Sequence, residues 1–255
     1  VSTNNDTKLK KLFDLHKPGT ILLAPWLEKH AISRDLQTRY RRSGWLESVG
    51  AGAFKRPGDN ITWQGGLYTL QQQAHLPIHA GAMTALAIQG FAHYLRLTQY
   101  NVYLLSPRGT KLPAWLKQHD WGVNVKYSPT SVLPANVGLV THEETNYSIQ
   151  ISGPERAMLE CLHLAPKEFD WVECLQVMEG LTTLRPQVIE DLLTACTSIK
   201  AKRLFLYLAE RASHPWLSFV DVSQIDLGKG VRSLSKGGDY VAKYNLVVPQ
   251  ELAAP

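Results

Sequence analysis

Cysteine is scarce in this chain. Only Cys161, Cys174 and Cys196 occur, widely spaced and without a CxxC pair. That set argues against a disulfide framework and a cysteine zinc site, and it suits a reducing cytoplasm. Long apolar runs are missing too. No stretch reaches about 18 apolar residues, so no transmembrane helix and no membrane partner are expected. The most apolar segment, Ala80 to Leu97, is punctuated by Gln89, His93 and Arg96. Val1 to Lys11 is polar and lysine-rich, without the apolar core of a secretory leader. Catalytic signatures are also wanting: HExxH, GxSxG and the phosphate-binding GxxxxGKS/T are all absent. His75 and His79 have the spacing of metal ligands on a helix, but Pro77 between them would break that helix. They read as solvated or capping histidines, and His93 as a packed one. His142-Glu143-Glu144 sits in a polar segment and reads as solvent-facing. No enzyme, metal or cofactor is expected.

What is present is an uneven charge. Residues 1–60 carry 11 Lys/Arg against 6 Asp/Glu, whereas residues 61–255 carry 16 of each. The formal net charge of +5 therefore belongs to the first quarter alone. Such a pattern describes a basic N-terminal module facing an anion, joined to a neutral body. Nucleic acid is the commonest anion of this kind, and an acidic protein partner is the alternative.

The module reads as a winged helix-turn-helix. Asp6 or Thr7 is placed to cap a first helix ending near Leu15, and Pro18-Gly19 stops it. Thr20 to Leu23 is β-prone. Pro25 opens a short helix from Trp26 to His30, and Ser33 caps a third running to Ser43. On a wheel of about 100° per residue, Leu36 and Tyr40 share one side of that helix. Arg34, Gln37, Thr38, Arg41 and Arg42 are assigned to the other. Trp45 to Val49 and Ala53 to Arg56 form a hairpin around Gly50-Ala51-Gly52. In this order of elements the third helix enters a major groove and the wing touches the backbone or minor groove. Ser33 is then the cap of the recognition helix. Arg34, Gln37, Thr38 and Arg41 are expected at base edges, and Arg42, Lys55 and Arg56 at phosphates. Trp26 and Trp45 are expected to pin the domain.

The body alternates shorter elements. Helices are expected at Thr62–Gln73, Gly81–Leu95 and Leu112–His119, and strands at Val102–Leu105, Val123–Tyr127, Val137–Val140 and Tyr147–Ile151. Helices then follow at Pro154–Leu164, Glu168–Met178, Pro186–Thr197 and Lys202–Ala212, with strands at Trp216–Val220 and Tyr244–Val248. The fold class is α+β: a winged helix-turn-helix domain over 1–95 (core 6–57, with connecting helices), then a mixed α/β domain over 96–255 with a small sheet and a helical subregion. Near its end, Gly228-Lys229-Gly230-Val231-Arg232 and Lys236-Gly237-Gly238 combine glycines with cations. Two readings stay open: a cradle for a phosphate or nucleic-acid backbone, and an exposed hairpin turn. With Lys243, the residues Lys229, Arg232 and Lys236 form a candidate second contact surface.

Several blocks are similar to one family. Ser43-Gly44-Trp45-Leu46-Glu47 followed by Gly52-Ala53-Phe54 resembles the wing of the AbiEi antitoxin family of type IV toxin–antitoxin systems, first known as abortive-infection systems. His79-x-Gly81-x-x-Thr84-Ala85-Leu86-x-x-x-Gly90-x-x-His93-Tyr94-Leu95 resembles the segment that follows the family's winged helix, and Leu112-Pro113-x-Trp115 and Asp226-Leu227-Gly228-x-Gly230-x-Arg232 resemble further blocks of the family. The resemblance runs from Thr20 to Pro249. Val231 stands where the family is expected to carry a basic residue. The resemblance implies a cytoplasmic bacterial regulator that binds inverted repeats in the double-stranded DNA of its own promoter and represses its operon. It also implies neutralisation of a nucleotidyltransferase-type toxin without a stable complex. The rival readings are a protein-interaction module with a basic face and a nucleic-acid-processing enzyme.

Overall fold

A computed structural model describes residues 2–92 and 101–253, with side chains from Lys8 onward. Helix α1 spans Ser2–Leu15. It begins ahead of Asp6 and Thr7, so these lie within the helix rather than capping it. Strand β1 (Leu22–Leu23) leads directly into α2 (Ala24–Lys29), which carries Pro25 in its first turn, where the missing N–H has no helical partner to lose. After α2, Ala31 adopts a left-handed φ of +66° and Ile32 N–H bonds back to Leu27 O at 2.9 Å. Helix α3 (Arg34–Arg42) follows, with the Ser33 hydroxyl accepting from Leu36 N–H. Gly44, at φ +74°, releases the chain into an antiparallel hairpin of β2 (Glu47–Gly50) and β3 (Ala53–Lys55). The strand order β1-β3-β2 completes a winged helix-turn-helix.

The wing sheet serves two cores, because successive residues of a strand point to opposite faces. Leu22 and Phe54 pack with Leu12, Leu27, Ile32, Leu36, Tyr40 and Leu46 inside the winged helix. Ile21, Leu23 and Ala53 join the core of the body instead. Strand β1 lies at the sheet edge, and helix α4 (Trp63–Gln72) supplies the partners its backbone would otherwise lack. Thr69 Oγ1 accepts from Ile21 N–H at 3.1 Å. Just past the helix, Gln73 Oε1 accepts from Leu23 N–H at 2.9 Å while its Nε2 donates to Ile21 O at 2.7 Å. The approach is close enough that a Cβ on Gly65 would stand 1.8 Å from Gly19 O.

In the body come β4 (His79–Ala80), α5 (Ala82–Ile88), β5 (Asn101–Ser106), α6 (Ala114–Gln118), β6 (Asn124–Pro129), β7 (Leu139–Glu143) and β8 (Ser148–Ser152). The five strands make one mixed sheet in the order β6-β5-β4-β8-β7. Helices α7 (Pro154–Leu164), α8 (Trp171–Gly180), α9 (Pro186–Ala195) and α10 (Ile199–Arg211) form the helical subregion. Then β9 (Arg232–Ser233), β10 (Asp239–Val241) and β11 (Leu246–Val248) build a small second sheet, and α11 (Gln250–Ala253) ends the described chain. The fold is α+β.

Three expectations change. The helix expected over Gly81–Leu95 stops at Ile88, because Gly90 turns to φ +82° and Phe91 N–H closes on Leu86 O at 2.8 Å. Residues 93–95, the packing of His93 and the boundary near residue 95 lie outside the described residues. Trp216–Val220 is not a strand: Pro215 opens a 3₁₀ turn there, and Trp216 Nε1 donates to Leu181 O at 2.8 Å. Tyr244 closes another 3₁₀ turn, so the last strand starts only at Leu246. Among the described residues, no helix is long and apolar enough to cross a membrane.

Candidate nucleic-acid interface

Leu36 and Tyr40 anchor α3 in the winged-helix core, which turns its cations away from the body of the domain. Arg34, Thr38 and Arg41 are exposed and share one groove with Ser48, Gly50, Ala51, Gly52 and Phe54 of the wing. The wing wall is made almost wholly of small residues, and its register shifts between Ser48 and Gly50. Within the groove Arg34 Nε donates to Glu28 Oε1 at 2.7 Å, and both side chains are exposed. Such a surface pair is worth about 0–1 kcal/mol, so Arg34 exchanges Glu28 for another anion at little cost. The Arg41 guanidinium lies 5.8 Å from the Phe54 ring centroid, which orients it over the groove wall. Thr38 Oγ1 donates to Arg34 O at 3.0 Å and keeps its oxygen lone pairs available.

Gln37 lines the same groove but, unlike Arg34, Thr38 and Arg41, is buried. It stands one residue, about 100°, round the helix from Leu36, at the margin of the apolar side. It is only 2% exposed. Its Nε2 donates to Ala24 O at 3.1 Å and to Ile32 O at 2.9 Å, so it ties α3 to the start of α2 and to the turn between them. Lys55 and Arg56 are not brought into the groove. Lys55 Nζ lies 3.5 Å from Glu47 Oε2 and donates to Asp59 O at 3.3 Å. Arg56 stacks over the Phe13 ring of α1 at 4.5 Å. Arg42 is exposed at the end of α3, as is Arg39, which the wheel reading passed over. Ser33 contributes through its cap. Trp26 packs against both cores, whereas Trp45 is 42% exposed and meets Phe13 edge-on at 5.6 Å. The wing residues of the groove were missed as site residues; the Gly50-Ala51-Gly52 turn was their signal.

Part of the charge in the body is buried. His79 is buried, and its Nε2 lies 3.0 Å from Glu160 Oε1. The same carboxylate accepts from Arg156 Nε at 2.8 Å, Ser152 Oγ at 2.7 Å and Ala82 N–H at 2.9 Å. Burial pushes the Glu160 carboxyl up, but His79, Arg156 and the Ala82 N–H outweigh it and hold the group at about 2. His75 is exposed, so the two histidines share no site, and His79 is not the solvated residue expected. His142 Nε2 lies 3.6 Å from Glu144 Oε1. Arg203, 1% exposed, donates to Leu227 O at 2.7 Å, Gly228 O at 3.0 Å, Gly230 O at 2.7 Å and Asn245 O at 2.9 Å. It thereby fixes the glycine-rich run from within. Lys229, Arg232 and Lys236 remain exposed beside it. Lys243 does not stand free: its Nζ meets Glu210 Oε1 at 2.5 Å and lies 5.3 Å from the Tyr244 ring centroid.

No curated protein matches the sequence. The crystal structure of the RV2827C protein from Mycobacterium tuberculosis is similar in fold, with a TM-score of 0.62 at 14% identity, over 99% of this chain and 92% of that one. Residues 5–97 match the family described as transcriptional regulator, AbiEi antitoxin N-terminal domain. Residues 99–249 match the family described as transcriptional regulator, AbiEi antitoxin, type IV TA system. Between them these matches span nearly the whole chain, and the chain belongs to the AbiEi antitoxin family of transcriptional regulators.

Proposed function

We propose that the chain is a cytoplasmic DNA-binding repressor of its own operon and the antitoxin to a nucleotidyltransferase-type toxin. Family membership supports the regulator and antitoxin roles. The DNA-binding mode rests on one observation: Arg34, Thr38 and Arg41 of α3 share a groove with the small-walled wing. In this reading α3 enters the major groove of a promoter inverted repeat, and the wing backbone lies against the adjacent phosphates. Arg41 and Arg34 have the forked donors that pair with guanine edges, and Thr38 suits either donor or acceptor. Arg42 and Arg39 meet phosphates. Lys55 and Arg56 act at the flank, outside the base-reading groove. Residues 1–95 carry this task, residues 96–255 carry toxin neutralisation, and no catalytic role is assigned to either.

A gel-shift titration on the DNA upstream of the gene, against scrambled competitor and at two salt concentrations, tests the reading. A specific shift that weakens as salt rises is expected, since each neutralised phosphate releases counterions. A folded protein with no preference for that DNA would make the basic face a protein- or RNA-binding surface.

A further inference from the structure

The loop held by Arg203 has a second consequence, set by peptide geometry. In a planar trans peptide, each N–H points opposite to the preceding C=O. Arg203 draws the carbonyls of Leu227, Gly228 and Gly230 inward. The N–H groups of Gly228, Lys229 and Val231 are therefore turned outward. Asp226 Oδ1 accepts the first of these at 2.7 Å. Among the described residues, the N–H groups of Lys229 and Val231 have no protein acceptor. Gly228 at φ +69° and Gly230 at φ +78° flank Lys229, and this alternation of backbone hand gathers N–H groups into an anion-binding concavity. Nothing lies within 4 Å of where a Cβ on Gly230 would be, so the outer side is open.

Lys229 and Arg232 are exposed at this loop and add charge to the two N–H donors. Val231, 57% exposed, stands between cations, and an apolar residue suffices there because its backbone N–H is what the loop offers. We propose that residues 227–232 form a binding site for a phosphate group, with the N–H groups of Lys229 and Val231 as fixed donors and the Lys229 and Arg232 side chains as its charge. Two sources share that chemistry: the phosphodiester of a nucleic acid and the phosphate chain of a free nucleotide. The site belongs to the C-terminal body and does not depend on how the winged helix is read.

The test is an amide NMR titration of the full ¹⁵N-labelled chain with sodium phosphate at constant ionic strength, then with ATP, then with a random-sequence duplex. Saturable shifts at Lys229 and Val231 are expected. The double variant Lys229→Gln/Arg232→Gln should weaken them about tenfold, as befits charge-assisted hydrogen bonds, with an unchanged melting temperature. Saturation at the lowest concentration by ATP would support a nucleotide site, and by duplex a backbone clamp. Shifts that sodium chloride reproduces, or that persist equally in the double variant, would overturn the site as an adventitious ion only. So would no shift at all. The readout is a local amide, so it stands apart from success or failure at the α3 groove.

Discussion

Helix α3 and the α7–α10 core use the same residue types for opposite ends. On α3, Arg34, Arg39, Arg41 and Arg42 face solvent. In the body, Arg156 and Arg203 are buried, and each is held by several partners. Arg156 bonds to Glu160 and also to Pro134 O and Val137 O, each at 2.6 Å. Arg203 takes four carbonyls. The physics accounts for the split. A guanidinium removed from water is tolerated only when it is paired or hydrogen-bonded, whereas one left in water is free to meet a ligand. A body with no net charge is thus not a body without charges; its buried ones are committed to folding.

The sharpest break in that comparison is Glu160→Ala. It strands Arg156 and His79 in the core and should cost about 3–5 kcal/mol in chemical denaturation, a loss of stability rather than of DNA preference. Acid exposes the same contrast. Glu160 stays charged in the fold down to about 2, against 4.5 for an ordinary carboxyl, so between these values the unfolded chain binds more protons. Its contribution is complete above 4.5 and fades as pH falls toward 2; acid unfolding of Glu160→Gln should show a flatter slope in that window.

Gln37→Ala sharpens the line between positioning and reading. The loss of two buried donors should lower stability by about 1–3 kcal/mol. A denaturation midpoint that does not move, with specific DNA affinity lost, would return Gln37 to the base-reading set. Arg41→Ala should do the reverse. Specific affinity falls by about 1–3 kcal/mol if the guanidinium grips one base, with stability changed by less than about 0.5 kcal/mol. Equal loss on random DNA would make Arg41 a phosphate contact. The smallest effect belongs to Lys55→Ala, already engaged by Glu47 and Asp59: a slight, sequence-independent weakening with a marginally shallower salt dependence, read by anisotropy titration.

Local chemistry made much of the N-terminal domain legible. Ser33 announces its helix, Pro25 opens the one before it, and the glycines around Ala51 mark the wing. Long-range chemistry left no such trace. His79 and Glu160 are 81 residues apart, and strand β4, which carries His79, is only two residues long. Lys202-Arg203 resembles any solvated cation pair, yet both are buried because carbonyls far along the chain fold over them. Gln37 lines the groove as read, yet it is buried, for a subtler reason. A helical wheel divides a helix into two halves, but a neighbouring helix and its turn close over the margin between them.

The most direct test pairs two readings on one variant, Arg41→Glu/Arg42→Glu. Affinity for upstream promoter DNA and melting temperature would be measured side by side with the unaltered chain. Loss of the specific complex at an unchanged melting temperature is the predicted result. A folded variant that still prefers the promoter would contradict the assignment of α3 as the reading helix.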